Sequence, residues 1–319
     1  METLIFSFNA VISLILIVGL GYFLKRIKLI DNDFVGKANR FCFLVAFPLQ
    51  LFYNIYHIDF NQPIDLNFLL FIVISILLMV VLLIFTVPKM IKDATKVGSF
   101  IQGAYRSNFL LIGLPLASNL FGENGVAIAS LALPIVIPLY NFTAVIVLSL
   151  FAKGNTPVSV SKPPLLKLIT EILKNPLIIA SLLGLLMSLC ALPVPMIFDK
   201  AIHDVGVIAT PFALILLGGQ FSFETLHGRL KLAIIASVLR VMIFPLFIIT
   251  AAILLGFRNS ELGTIMIIFA TPSAISGFIM AKNMNNDSEL AGQIIILTTL
   301  LSSLTLFAWV FVLKWIGFI

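Results

Sequence analysis

Stretches of twenty or more residues with scarcely a charge recur along the whole chain. They fall near residues 4–24, 34–56, 66–88, 98–120, 126–151, 173–195, 200–222, 230–255, 261–282 and 290–318. A helix rises ~1.5 Å per residue, so about twenty apolar residues match the ~30 Å hydrocarbon core of a bilayer. Ten such runs fill the 319 residues and leave no room for a folded soluble domain. Turn-formers separate them, among them Asp31-Asn32-Asp33, Asn61-Gln62-Pro63, Gly122-Glu123-Asn124-Gly125 and Asn285-Asn286-Asp287. The second and seventh runs are the least clean, since they contain charge or proline. Composition agrees: 61% of residues are hydrophobic and only 11% charged, against about a quarter charged in soluble domains. A soluble enzyme, a disordered chain and a disulfide-stapled secreted module are thereby excluded. The reading is an all-α polytopic membrane protein with ten transmembrane helices.

Charge orients the spans. The chain carries a net charge of +6, and fifteen of its twenty Lys and Arg fall in alternate loops, from Lys25 and Arg26 to Lys282. Only Lys200, Arg258 and Lys314 lie on the opposite side. The positive-inside rule then places both termini outside the cytoplasm of a cell membrane. Lipid, not nucleic acid, accounts for the basic balance. The first run begins almost at Met1 with no basic segment before it and reads as a retained span rather than a signal peptide. Cys42 and Cys190 both sit in apolar runs without metal-ligand spacing and read as small buried hydrophobes.

The chain divides at its longest polar loop, 152–172, into halves 1–151 and 173–319. Each half holds five spans, and an odd number means that a repeated unit is inserted upside down. The halves share landmarks: Ala46-Phe47-Pro48-Leu49 in span two against Ala209-Thr210-Pro211-Phe212 in span seven, and Pro115 in span four against Pro272 in span nine. Inverted repeats with interruptions at matching positions are the sequence signature of secondary transporters. A mid-helix proline removes a donor and clashes with the carbonyl four residues back. Thr271-Pro272-Ser273 therefore reads as a cap and restart, and Gly113-Leu114-Pro115 as the corresponding break. Two half-helix N-termini would then present free N–H groups to an anion at mid-membrane. Prolines can also merely kink packed helices, as Pro134, Pro138 and Pro245 do not pair between halves.

Four stretches together resemble the auxin efflux carrier family: Asn39-Arg40 leading into VAFPLQLF, SNFLLIGLPLASNLFG from Ser107, KNPLIIASLLGLL from Lys174, and ATPSAISGFIMAKNMNND from Ala270. The short central loop is similar to the bacterial malate and malonate permease branch rather than to the plant PIN-type exporters. The resemblance implies an inverted five-plus-five repeat with crossed, broken helices four and nine, the architecture of bile-acid/sodium symporters and NhaA-like transporters. It further implies a scaffold of spans 1, 2, 6 and 7 that forms a homodimer, and an elevator-type mobile bundle of spans 3–5 and 8–10.

The candidate substrate-binding residues are Arg106, Asn108, Pro115, Thr271, Pro272 and Ser273. Asn108 lies two helical turns before Pro115, and its amide can donate to a carboxylate. An intramembrane Asn also commonly bonds a neighbouring helix, but the resemblance favours substrate contact. Arg106 is a costly mid-span charge that should face a cavity or a partner. All fourteen acids sit in loops or at span ends, so the candidate counter-ion is an anionic substrate, held as Arg holds carboxylates. Partial snorkelling remains open for Arg106, and Arg240, equally deep in its span, ranks below it for the site. Gln50, Ser276, Gln293, Thr298, Thr299, Ser302 and Ser303 are weaker polar spots, with backbone satisfaction as the default. His57, His203 and His227 sit near span ends and form no ligand set. No cofactor and no metal is expected. The leading function is a carrier of small organic anions such as mono- or dicarboxylates. A sodium-coupled symporter is the nearest alternative, and a sensor or channel the alternative of another class. No intramembrane catalytic set and no Walker motif is present, so neither an enzyme nor an ATP-driven pump is expected.

Overall fold

A computed structural model describes residues 16–57, 65–152, 174–220 and 229–319. The first fifteen residues (with Asn9 and Ser13), most of the loop 152–172 and His227 lie outside the described residues. Everything regular that is described is helical, apart from one isolated bridge. The helices are α1 (16–26), α2 (Asn32–Phe41), α3 (Phe47–Tyr56), α4 (Leu66–Met90), α5 (Ala94–Tyr105) and α6 (Leu114–Leu150). They continue with α7 (Pro176–Leu189), α8 (Met196–Val207), α9 (Ala209–Gln220), α10 (Leu230–Val238), α11 (Phe244–Leu254), α12 (Asn259–Ala270), α13 (Ser276–Asn283) and α14 (Ser288–Trp315). Among the described residues, five stretches are long and apolar enough to cross a membrane: Leu66–Met90, Leu131–Leu150, Met196–Gly219, Leu230–Leu254 and Ser288–Trp315. α7 and α12 are shorter apolar helices. α6 turns at Gly122, where φ is +60°, at the boundary that the Gly-Glu-Asn-Gly turn predicts.

The acids kept out of the apolar runs start the helices. Asp31, Asp65, Asp93 and Asp287 each accept from backbone N–H groups in the first turn of α2, α4, α5 and α14, as Asn175 does for α7. Each satisfies a donor that the helix itself leaves unpaired. Prolines act in the opposite way. Pro48, Pro115 and Pro245 each stand at the second residue of a helix that follows a π turn, respectively Cys42–Ala46, Phe109–Gly113 and Leu239–Ile243. The carbonyl four residues back falls inside the π turn in all three, so widening the turn relieves the clash without ending the helix.

Apolar burial forms two clusters. One joins α4, α5, α6, α10, α11, α12 and α14. The other joins α2, α3, α7 and α9 to α13 and one side of α6 and α14. Helices of the second cluster approach backbone to backbone. A Cβ on Gly21 would lie 2.0 Å from the Ile215 carbonyl oxygen, and one on Gly218 would lie 1.9 Å from that of Val18. α3 is held the same way on two flanks, by Gly184 of α7 against Phe52 and by Gly206 of α8 against Gln50. Small residues permit this closeness, which is how helices associate where water supplies no drive. Cys42 is fully buried, but Cys190, at the C-terminal cap of α7, is exposed. The expectation that both cysteines are buried is thus half corrected: an apolar neighbourhood in sequence also describes a lipid-facing helix end.

Candidate functional site

The site is built where two broken helices cross. α5 ends at Tyr105, and Arg106 is already extended, with ψ of 133°. α12 ends at Ala270, and Thr271 is extended, with ψ of 154°. Between them runs a single antiparallel rung: Ser107 pairs with Ser273, and the Asn108 N–H donates to the Pro272 carbonyl at 2.9 Å. The Ser107 and Thr271 hydroxyls are 2.6 Å apart, and the Ser273 N–H donates to Thr298 Oγ1 at 3.1 Å. The second halves then begin with the π turn at Phe109 and with α13 at Ser276. Pro272 stands in the break as expected. In span four the break comes at Arg106–Asn108 and not at Gly113–Pro115. Pro115 is absorbed by the π turn before it, so the proline marks the restart rather than the interruption.

Two buried arginines divide the crossover. Arg240, in the π turn between α10 and α11, is 0% exposed. It donates to the carbonyls of Thr271, Tyr105 and Ile268, each at 3.0 Å. These carbonyls belong to the ends of α5 and α12, where helices leave acceptors unpaired. An unpaired carbonyl in hydrocarbon costs several kcal/mol, roughly what placing an arginine there costs by insertion scales. Each penalty cancels the other. Arg106 is 5% exposed and has different partners. Its guanidinium donates to Asn141 Oδ1 and contacts Met280 Sδ at 2.8 Å. Among the described residues no carboxylate pairs with it.

A cavity of about 80 Å³ lies in front of Arg106. The crossover supplies Arg106, Ser107, Asn108 and Phe109 from one segment and Ala274, Ile275 and Ser276 from the other. α6 adds Tyr140 and Asn141, while α3 and α9 close the far wall with Gln50, Asn54 and Thr210. Gln50 and Thr210 are bonded to each other across these two helices, with the Gln50 amide 3.3 Å from the Thr210 hydroxyl. At ~30 Å³ per water this space holds two or three waters, or one compact carboxylate. Its polar lining is donor-rich and contains one fixed positive charge. A far larger groove of about 1300 Å³ runs between α4 and α11. Leu70, Ile74, Leu78 and Phe247 line it, with no Lys or Arg among the described residues around it, and size does not identify the site.

Of the six sequence candidates, Arg106 and Asn108 line the cavity. Thr271, Pro272 and Ser273 form the crossing strand behind it, with their polar groups spent on Ser107, Arg240, Asn108 and Thr298. Pro115 lies farther along, in the first turn of α6. Sequence reasoning missed Asn54, Thr210, Tyr140 and Asn141, and it ranked Arg240 as a lesser copy of Arg106. Asn141 was the one with a signal, an amide inside the run 126–151. No group of three or more His, Cys, Asp or Glu able to hold a metal occurs among the described residues. His57 contacts Asp199 at 3.4 Å and packs at a tilt against Tyr53 near the end of α3.

A multi-span helical protein that keeps a cationic polar cavity inside an apolar body belongs to the class of membrane transport proteins. The chain is a member of the auxin efflux carrier family, whose model, described as "Membrane transport protein", matches residues 6–310. It is 24% identical to an uncharacterized transporter of Methanothermobacter thermautotrophicus over 96% of this chain and 98% of that one. A second uncharacterized transporter, from Methanocaldococcus jannaschii, is 23% identical over the same shares. Auxin efflux carrier component 6 of Arabidopsis thaliana is 30% identical over 40% of this chain and 24% of its own length. The family is one of transporters, not of enzymes.

Proposed function

We propose that the protein is a secondary carrier that moves small organic anions, mono- or dicarboxylates, across the cell membrane. The observation that carries this reading is Arg106, a buried guanidinium beside a cavity, bonded to neutral Asn141 and to Met280 sulfur with no carboxylate among the described residues. Two half-helices begin at the same cavity, and each N-terminus adds about half a positive charge. A carboxylate would meet a guanidinium, the Asn108 amide and backbone N–H donors. A cation would meet no ligand carboxylate there.

Alternating access follows an elevator scheme. Spans 3–5 and 8–10 are the moving bundle, and spans 1, 2, 6 and 7 are the scaffold of a homodimer. The larger apolar cluster, drawn almost wholly from bundle helices, supports this partition. The smaller one packs α2, α3, α7 and α9 against α13 and one side of α6 and α14. The cavity likewise has one wall from the crossover and the other from α3 and α9. The chain then has ten spans in two inverted halves, with both termini outside the cytoplasm.

The test is binding to the purified protein, with malate, malonate and acetate as probes. Asn108→Ala should weaken a carboxylate by about ten- to hundredfold, the roughly 1.5–3 kcal/mol of a hydrogen bond to a charged group. Arg106→Gln should weaken malate more than acetate. Unchanged affinity in Asn108→Ala, in a protein shown to bind a carboxylate, would overturn the site.

A further inference from the structure

Arg240 and Arg106 both meet the crossover, and of the two Arg106 lines the cavity. Every nitrogen of the Arg240 guanidinium has a main-chain oxygen for its acceptor, and the Tyr140 hydroxyl is the side-chain group beside it. Its Nε, Nη1 and Nη2 donate to the carbonyls of Thr271, Tyr105 and Ile268, each at 3.0 Å. These oxygens come from the C-terminal ends of α5 and α12. A helix C-terminus carries about half a negative charge, so two of them present about one, which the guanidinium balances. Unwound carbonyls at half-helix C-terminal ends are the ligands by which broken-helix transporters hold a soluble cation. Here the oxygens are present and converging, and a side chain of the protein occupies the position.

We propose that Arg240 is a tethered cation that fills a main-chain cation site at the crossover and thereby positions the residues that line the cavity. By clamping Tyr105 and Thr271 it fixes the segments that immediately follow, which carry Asn108 and the Pro272 carbonyl that its backbone N–H pairs with. The positioning half rests on the anion-carrier reading; the charge geometry stands without it. Unlike a bound ion, the guanidinium cannot leave during a transport cycle.

The experiment uses the full-length protein in detergent, comparing wild type, Arg240→Lys and Arg240→Ala in choline, sodium and low guanidinium chloride. The unfolding temperature is the first readout and malate affinity the second. Wild type should unfold at one temperature in choline and sodium. Arg240→Ala should unfold lower in choline, and guanidinium should reverse most of that loss while leaving wild type unmoved. Sodium should reverse part of it. Arg240→Lys keeps the charge with a single donor group and should fall between the two, insensitive to added cations. Malate affinity should follow the same order and the same rescue. A sodium-stabilised wild type, or an Arg240→Ala loss that no cation reverses, overturns the proposal. Where Arg240→Ala cannot be purified, an Arg240→Lys no more stable than Arg240→Gln overturns it equally, because charge then contributes nothing. Absence of malate binding to wild type counts against the anion reading alone, since the unfolding temperatures involve no substrate.

Discussion

At the scale of single residues, the crossover assigns different work to side chains of one type. Arg106 and Arg240 are both mid-span, both nearly inaccessible and both without a carboxylate among the described residues. What separates them is the kind of acceptor, a side-chain amide and a thioether for one and three carbonyls for the other. No one-dimensional pattern carries that distinction, because Tyr105, Ile268 and Thr271 are named only once the two segments meet. Asn108 was legible: an amide in an apolar run near a proline is costly unless used. A similar repair is made at Trp309. Pro245 leaves the Val241 carbonyl without its helical donor, and Trp309 Nε1 donates to it at 3.2 Å. Trp309→Phe removes the donor and trims the indole to a single ring, so it should destabilise by about 1–3 kcal/mol. Thermal unfolding of the purified variant checks this, and an unchanged midpoint would show that the carbonyl finds another donor.

At the scale of elements, proline spacing was readable and its consequence was not. Pro48, Pro115 and Pro245 each follow a π turn that lets the helix continue, whereas Pro272 sits in extended backbone. The difference lies in tertiary pairing. The segment at Pro272 has Asn108 and Ser107 to bond with, which offsets the lost helical bonds. The break in span four has no proline of its own and exists because span nine lies across it. Element contacts also sort the glycines. A Cβ at Gly218 meets the α1 backbone at 1.9 Å, while Gly19, in the same helix pair, has nothing within 4 Å. Gly218→Ala should therefore destabilise by about 1–3 kcal/mol, as overpacking does. Gly19→Ala should be neutral or stabilising by up to about 1 kcal/mol, the helix-propensity difference. Paired thermal melts test both, and equal shifts would argue against the close α1–α9 contact.

At the scale of the whole molecule, the alternation of Lys and Arg predicts that 152–172 faces the cytoplasm and the termini do not. Single cysteines at Ser159 and at Asn61, in a chain lacking Cys42 and Cys190, should label from opposite faces of the membrane. Labelling from the same face would remove the ten-span arrangement. The fold class was legible because hydrophobic length is a local property. The cavity was not, because Gln50, Asn54 and Thr210 reach it from a different part of the chain than Arg106 and Asn108.

The crossing strands are joined mainly by groups that every residue possesses. The Asn108 N–H reaches the Pro272 carbonyl, and Arg240 grips three further carbonyls. The identities of the side chains at 106, 108 and 276 enter little into that clasp. Heritable change at those positions can therefore redraw what the cavity accepts without dismantling the joint that makes the cavity. A lineage built on this joint can exchange one cargo for another by single substitutions, each intermediate still folded, and its members can drift far apart in sequence while sharing one frame.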